Sequence, residues 1–233
     1  FKGLHFPKME LRDVIFVSLT EEDYPILKGD ILMSDGIRIK KEDFKEFFSE
    51  YTVEYSTAKR SKRKDGKVYV TGPISRFNNC YERLSPIARE YAEKLSLEPP
   101  ETNPYKSILI RMVEIVHSLE RSIRMVKDYR KPKSSQVEHK IVEWTGYGVS
   151  EAPRGILWHS YSFDKEGRVE SADIVPPTSQ NQDAMELSLL QGLEEALSGG
   201  EERIRDESEK IIRCFDPCIS CATHFLNVHI SSP

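Results

Sequence analysis

The feature that most constrains the fold of this chain is a long run of apolar residues at helical spacing in its middle. Asn103 is suited to cap the start of a helix, and the adjacent Pro104 is favoured in the first helical turn. Pro132 ends the pattern, because a proline cannot continue a helix. We therefore predict one long helix whose apolar side packs in the core. The residues on that side are Ile108, Met112, Ile115, Val116, Leu119, Ile123 and Val126.

Shorter patterns on either side of this helix predict further secondary structure. We expect helices over residues 41–51 and 85–97. Two strand-like runs at residues 156–163 and 168–175, joined by a short polar turn, predict a β-hairpin, and two more helices follow it. The chain is therefore predicted to be an α+β protein with long core helices, short strands and a β-hairpin.

A polar segment with two glycines, residues 134–150, is predicted to link two parts of the chain. The first part, residues 1–133, is a mixed α/β region with the long core helix. The second part, residues 134–233, contains the hairpin and the helices that carry a C-terminal cysteine motif.

The composition argues against several classes of function. The 233 residues have a mean hydropathy of −0.52 and a net charge of −4, and this negative charge gives no general attraction to nucleic acid. No stretch approaches the roughly 20 apolar residues of a membrane-spanning helix, so we expect no membrane span. One run, residues 59–67, has six basic residues in nine. Because a turn signal lies at its end and no aromatic residue is interleaved, we favour a solvated hairpin tip over a nucleic-acid patch.

The cysteines carry the clearest chemical signal. Cys214, Cys218 and Cys221 lie within eight residues, and Asp216 is suited to cap a helix that starts near Cys218. Cys218 and Cys221 would then share one face at a helix N-terminus, where the pKa of a thiol is lowered. Two thiolates on one face can bind a soft or borderline metal ion.

From spacing alone, three interpretations of this pair stay open. A zinc site could combine Cys218 and Cys221 with His224 and His229, although the spacing is tighter than in common zinc fingers. A redox pair would normally follow a strand in a βαβ unit. Another metal is the third interpretation, and the local pattern does not choose among them.

Three motifs in order make the C-terminal third resemble the large subunit of nickel–iron hydrogenases. Residues 216–224, Asp-Pro-Cys-x-x-Cys-x-x-His, match the C-terminal metal motif of that family. Residues 151–155, Glu-Ala-Pro-Arg-Gly, match its arginine loop, and residues 175–181, Val-Pro-Pro-Thr-Ser-Gln-Asn, are similar to its loop around the ligands of the iron. Upstream, residues 70–76 and the helix after Asn103 look like the cytoplasmic, multisubunit members.

The resemblance implies roles for the residues of these motifs. Cys218 would be a terminal nickel ligand, Cys221 would bridge nickel and iron, and His224 would lie at a magnesium-type site below the cluster. Arg154 would stand over the open metal position; the alternative for Arg154 is a structural ion pair. The residues lining the pocket for the carbonyl and cyanide ligands of the iron would be Pro153, Pro176 and Thr178.

The resemblance also implies what is missing. Four cysteines hold nickel in the family, and its Arg-x-Cys-Gly-x-Cys motif does not occur in this sequence. We therefore expect the C-terminal portion of a large subunit, inactive by itself, from a cytoplasmic enzyme that oxidises H2 reversibly. Its partners would be a small subunit with iron–sulfur clusters and further electron-transfer subunits. A non-catalytic structural paralogue and a zinc-binding module are the alternatives.

Overall fold

The computed structural model describes residues 5–137, 143–193 and 200–218, which form an α+β fold. The helices are α1 Phe44–Phe47, α2 Pro73–Cys80, α3 Pro86–Lys94, α4 Ser107–Asp128, α5 Pro177–Leu193 and α6 Gly200–Phe215. Three 3-10 turns adjoin the helices: Lys41–Asp43 precedes α1, Tyr81–Arg83 follows α2, and Pro104–Lys106 precedes α4. The strands are β1 Ile15–Thr20, β2 Asp30–Met33, β3 Arg38–Ile39, β4 Phe48–Val53, β5 Ser56–Arg63, β6 Tyr69–Thr71, β7 Thr145–Ala152, β8 Gly155–Phe163 and β9 Val169–Val175.

A four-stranded sheet in the order β3-β2-β1-β6 forms the centre of the protein. β1 pairs antiparallel with β2 and parallel with β6, and every β1 residue after Ile15 is buried. Burial on both sides is typical of a strand with a parallel neighbour. Successive β1 side chains enter opposite sides of the sheet: Phe16 joins one hydrophobic cluster, and Val17 and Leu19 join the other.

Both hydrophobic clusters draw residues from before and after the predicted linker. The first packs α2, α3 and α4 together with Ala184 of α5. The second joins the other side of the central sheet to Ile156, Trp158 and Val175 of the β8–β9 hairpin. The division into residues 1–133 and 134–233 stays a prediction about organisation, but the core is shared across it.

The predicted hairpin is confirmed and is larger than expected. β8 and β9 pair antiparallel, and the Gly167 N–H donates to the Asp164 carbonyl in the turn between them. Residues 145–150, predicted as part of a linker, belong instead to β7, which pairs with β8 along its length. The polar composition that suggested a linker reflects the exposure of β7, because most of its residues face away from the core.

The helix predicted over residues 41–51 is wrong. A 3-10 turn and the single-turn α1 are followed by β4, which pairs antiparallel with β5. The stretch from Phe48 to Val53 is rich in aromatic and β-branched residues, which pack well on a pleated surface. Local helical spacing is outweighed here by pairing with the next strand.

The basic run does not form the tip of a hairpin between β5 and β6. The predicted turn exists, since the Gly66 N–H donates to the Arg63 carbonyl, but β5 pairs with β4, and β6 pairs with β1. Nor is the whole run solvated: Arg63 is buried in ion pairs with Asp35 and Asp65, and Arg60 is buried as well. For Arg63, opposite charges from the neighbouring Asp65 and from the more distant Asp35 make this burial tolerable.

The long helix is confirmed, but the predicted burial of its apolar side is wrong for the chain as described. The Asn103 side chain accepts a hydrogen bond from the Tyr105 N–H, and α4 ends before Pro132. The side of α4 facing the core carries Leu109, Ile110 and Val113. The predicted stripe is mostly exposed: Ile108 49%, Ile115 58%, Leu119 61%, Ile123 57% and Val126 76%.

The predicted stripe is exposed because α4 carries apolar residues on two sides and only one of them packs against the described core. Periodicity shows which residues share a side, but not which side meets the rest of the chain. A helix that is apolar over most of its circumference is normally enclosed in a larger structure. No helix among the described residues has the length and apolar content needed to cross a membrane.

Candidate metal centre

Arg154 lies in a two-residue turn at the tip of the β7–β8 hairpin. Pro153 and Arg154 form the turn, and Ala152 pairs with Gly155 across its base. Gly155 has φ +136°, and a Cβ on it would lie 2.5 Å from the Thr71 side chain. Only glycine fits this close approach, so the hairpin tip is pressed against the end of β6.

Neighbours from β6 and α5 hold the backbone of Arg154. A Cβ on Gly72 would lie 2.6 Å from the Arg154 carbonyl oxygen. The Thr71 hydroxyl accepts a hydrogen bond from the Ile156 N–H at 2.9 Å. Asn181 links both segments: its Oδ1 accepts from the Thr71 N–H at 2.8 Å, and its Nδ2 donates to the Arg154 carbonyl at 3.5 Å.

The side chain of Arg154 contacts the beginning of the cysteine motif. Its Nε donates to the main-chain oxygen of Asp216 at 2.6 Å and lies 3.3 Å from Oδ2 of the same residue. The two side chains are 38% and 44% exposed, so the ion pair lies at the surface of the described structure. The arginine loop and the cysteine motif, more than 60 residues apart in sequence, therefore meet directly.

The predicted N-cap conformation of Asp216 is wrong. An N-cap residue normally has an extended backbone, whereas Asp216 has φ +50° and its N–H donates to the Arg213 carbonyl at the end of α6. Asp216 therefore acts as a left-handed residue that ends a helix, a position in which Asp and Asn are tolerated. The helix predicted to start near Cys218 lies beyond the described residues.

A second arginine holds the end of α6. Nη2 of Arg111 donates to the Cys214 carbonyl at 2.8 Å. Cations are favourable beside the carbonyl groups at a helix C-terminus. Burial raises the pKa of the Cys214 thiol to about 11, so this cysteine is protonated at neutral pH and is not an activated thiolate. A cavity of about 20 Å³, large enough for a water molecule, is bordered by Thr71, Arg111, Pro153, Arg154, Asn181 and Asp216.

Thr178 joins the motif to the first turn of α5. Its buried hydroxyl accepts a hydrogen bond from the Cys218 N–H at 3.1 Å. Residues 177–181, predicted to lie in a loop, form the start of α5 instead, with Pro177 as the first helical residue. The buried hydroxyl of Ser179 in the same turn has no hydrogen-bond partner among the described residues.

The structure thus brings together only part of the predicted site. Arg154, Thr178 and Cys218 are connected through Asp216 and the start of α5. Pro153 is exposed in the arginine turn, and Pro176 is half-buried before α5. Cys221, His224 and His229 lie outside the described residues. Within the described ranges, no group of three or more His, Cys, Asp or Glu side chains is arranged to hold a metal ion.

Sequence reasoning missed a buried ionic cluster behind the arginine turn. Arg76 of α2 is paired with Glu114 of α4 and Glu151 of β7, at 2.6 and 2.8 Å. The Tyr24 hydroxyl donates to Glu114, and the Leu19 N–H donates to Glu151 at 2.7 Å. Two of the motif matches include members of this cluster, Arg76 in residues 70–76 and Glu151 in residues 151–155, but neither match gave these two residues a role.

Electrostatics explain why this cluster can be buried. Burial alone would lower the pKa of Arg76, but the carboxylates of Glu114 and Glu151 raise it above its ordinary value. Burial raises the pKa of Glu151, against the opposite effects of Arg76 and the Leu19 N–H. The arginine is therefore charged at every physiological pH and neutralises one of its two carboxyl partners.

Comparison with known proteins identifies the family. The model of the nickel-dependent hydrogenase family matches residues 40–224, which include all three motifs of the C-terminal third. The chain belongs to the nickel-dependent hydrogenases. This hydrogenase chain is 33% identical over 207 residues to the sulfhydrogenase 1 subunit alpha of Pyrococcus furiosus, covering 88% of this chain and 48% of that protein. It is 34% identical over 202 residues to the NAD-reducing hydrogenase HoxS subunit beta of Cupriavidus necator, covering 79% and 40%.

The fold agrees with this assignment. A crystal structure of an NAD+-reducing [NiFe]-hydrogenase in the H2-reduced state superposes with a TM-score of 0.75 over 91% of this chain and 51% of the other, at 22% identity. The predicted α+β class and the predicted family are confirmed. The chain spans about half the length of the curated relatives it matches.

Proposed function

We propose that this chain is the C-terminal portion of a nickel–iron hydrogenase large subunit, which interconverts H2 with protons and electrons. The observation that carries the proposal is the contact between Arg154 and Asp216, which joins the arginine loop to the cysteine motif beside Cys218. A zinc-binding module using only the C-terminal pair would not require that contact.

The residues of the site fit half of a nickel–iron centre. Cys218 and Cys221 would supply two thiolates, the soft ligands that such metals take, and His224 would bind a magnesium-type ion. In the first turn of α5 the buried Ser179 hydroxyl has no hydrogen-bond partner among the described residues, and a hydroxyl donor at a helix N-terminus suits an anionic ligand such as cyanide. Pro153, Pro176 and Thr178 would line the pocket for the carbonyl and cyanide ligands.

Arg154 would stabilise negative charge at the open metal position. When bound, the centre supplies the redox chemistry by which H2 is split. The arginine side chain would offer fixed hydrogen-bond donors and a positive charge beside the site where charge changes. Nε donates to the Asp216 carbonyl and Nη2 donates to Oδ1 of the same residue at 3.5 Å, so Nη1 is the nitrogen that would turn toward the centre.

The remaining parts of the enzyme would come from other polypeptide. The chain spans about half of its relatives, so we expect the other two nickel ligands from the corresponding other half of the large subunit. That half would also cover the exposed apolar side of α4. A small subunit with iron–sulfur clusters and further electron-transfer subunits would complete a cytoplasmic enzyme.

Metal analysis with matched cysteine variants tests the proposal. We expect the complete, anaerobically prepared large subunit to hold nickel and take up H2, whereas the isolated 233-residue chain holds nickel well below one per chain. Cys218→Ser should lose nickel, because a hydroxyl is a poor substitute for a thiolate ligand. Cys214→Ser is the control and should keep nickel, since the Cys214 thiol is protonated and donates to the Lys210 carbonyl within α6.

Two outcomes contradict the proposal. Stoichiometric nickel with H2 uptake in the isolated chain would show that the site needs no second half. Nickel retained in the Cys218→Ser subunit would remove Cys218 from the ligand set.

A further inference from the structure

Arg76 uses every donor of its guanidinium group. Nε and Nη2 donate to the two carboxylate oxygens of Glu114 at 2.6 and 2.8 Å, and Nη1 donates to Glu151 at 2.8 Å. The two remaining N–H groups donate to main-chain oxygens: Nη1 to Ala152 and Nη2 to Pro153, both at 3.0 Å. A buried group with all its donors satisfied is held in one orientation.

The two carbonyl groups belong to the residues directly before Arg154. Arg76 therefore holds the incoming side of the arginine turn, and Gly72 and Asn181 hold its outgoing side at the Arg154 carbonyl. Gly72 and Arg76 lie one helical turn apart at the start of α2, and the Arg76 N–H donates to the Gly72 carbonyl at 2.9 Å. One short segment thus supports the turn from both sides.

We propose that Arg76 is a positioning residue for Arg154: it fixes the direction in which Arg154 extends by holding the carbonyl groups of residues 152 and 153. Arg76 makes no described contact with the cysteine motif, so it acts through Arg154. The expected effect of Arg76 on kcat rests on the proposed function. The expected effect of Arg76 on the conformation of the arginine turn does not.

The substitution Arg76→Lys distinguishes the effect of the positive charge from the effect of the planar guanidinium donors. Its ammonium group keeps a positive charge near Glu114 and Glu151, but its three donors lie on one nitrogen and cannot reproduce the planar fork. We expect Arg76→Lys to release at least one of the two carbonyl groups. The matched control is Arg63→Lys, because Arg63 is also a buried, doubly ion-paired arginine, with partners Asp35 and Asp65 away from the turn.

The first measurement is hydrogen exchange of the backbone amides around residues 154–156, in the complete large subunit. Arg76→Lys should speed this exchange at least about tenfold, and Arg63→Lys should leave it unchanged. Unchanged exchange in Arg76→Lys overturns the inference, whether or not the protein carries nickel. The exchange measurement therefore tests the role of Arg76 independently of the proposed hydrogenase function.

The second measurement is a double-mutant cycle on H2 oxidation. Arg76→Lys should lower kcat about tenfold with little change in KM, because a displaced group loses much of its effect. In an Arg154→Lys background the same change should alter kcat less than about twofold, since there is no longer a guanidinium to position. Equal effects in both backgrounds overturn the inference.

If Arg76→Lys does not accumulate as folded protein, Gly72→Ala tests the same inference from the other side of the turn. The added Cβ would press on the Arg154 carbonyl oxygen, and the substitution removes no charged member of the ionic cluster. If Gly72→Ala lowers kcat in the otherwise unchanged subunit but not in the Arg154→Lys background, the result supports positioning through the turn. A normal kcat together with faster exchange of the turn overturns it.

Discussion

Replacing Gly72 by alanine tests the packing beneath the arginine turn most directly. Gly72 has φ +112° and ψ −155°, a conformation that is essentially restricted to glycine. A Cβ there would lie 2.6 Å from the Arg154 carbonyl oxygen and 3.1 Å from its carbon. Ordinary contact begins near 3.4 Å, so backbone must move by about 0.8 Å. No flexible side chain is available to absorb the shift, because both partners are main chain.

The expected loss of stability has two sources. The backbone conformation costs an alanine about 1–3 kcal/mol, and forcing a methyl group into a packed contact costs about 1–3 kcal/mol more. We therefore expect Gly72→Ala to lower the free energy of unfolding by roughly 4 kcal/mol. For a chain of this size that corresponds to a fall in Tm of about 8–16 °C.

Gly66→Ala is the matched control, because Gly66 also has a positive φ, +84°, but has no atom within 4 Å of the added Cβ. It should lose only about 1–2 kcal/mol. Urea denaturation of the 233-residue chain, followed by circular dichroism, measures both variants. Equal stability of the two variants would refute the close contact between Gly72 and Arg154, and with it our account of how the turn is held.

Two further changes test the ionic and histidine contacts. Arg60→Met should lower the free energy of unfolding by about 3 kcal/mol, because Asp183 and Glu186 lose their buried partner; Lys64→Met, on the exposed end of the same run, should stay within about 0.5 kcal/mol in the same denaturation assay. His117 accepts the Ser85 N–H at Nδ1, and burial lowers its pKa, helped by Arg121 and Arg124 and opposed by Glu114 and Glu120. The folded state therefore favours neutral histidine, so its stability is full above about pH 6.5 and declines as pH falls toward the lower folded pKa. His117→Asn, which keeps an acceptor but does not titrate, should flatten that decline, and an unchanged pH profile of stability would contradict the assignment.

Local signals in the sequence were enough to predict the elements that form without distant partners. The β8–β9 hairpin follows from two alternating runs and a turn, and α4 follows from Asn103, Pro104 and the apolar spacing. The helix predicted over residues 41–51 failed for the opposite reason. Part of that stretch forms β4 because it pairs with β5. The basic composition of β5 gave no indication that it would form this pair.

The support of the arginine turn could not be predicted, because its parts are far apart in sequence. Arg76, Glu114 and Glu151 lie on α2, α4 and β7, and no local pattern marks a charged residue for burial. The motif matched Arg154 to a family, but only the fold shows which neighbours hold it. The exposed side of α4 was mispredicted in the same way, since periodicity does not reveal what covers a helix.

The described contacts that hold Arg154 lie within this chain, whereas on the proposed function two of the four nickel ligands would come from the other half of the large subunit. Arg76, Gly72 and Asn181 fix the backbone of the turn, and Asp216 fixes the side chain through its own carbonyl group. The backbone of the arginine turn is therefore held by contacts that the fold of this chain supplies. Groups that act electrostatically on a reacting centre are most effective when they are already in place and need no rearrangement. On the proposed function, the second half of the large subunit would complete the ligand set around an arginine that is already positioned.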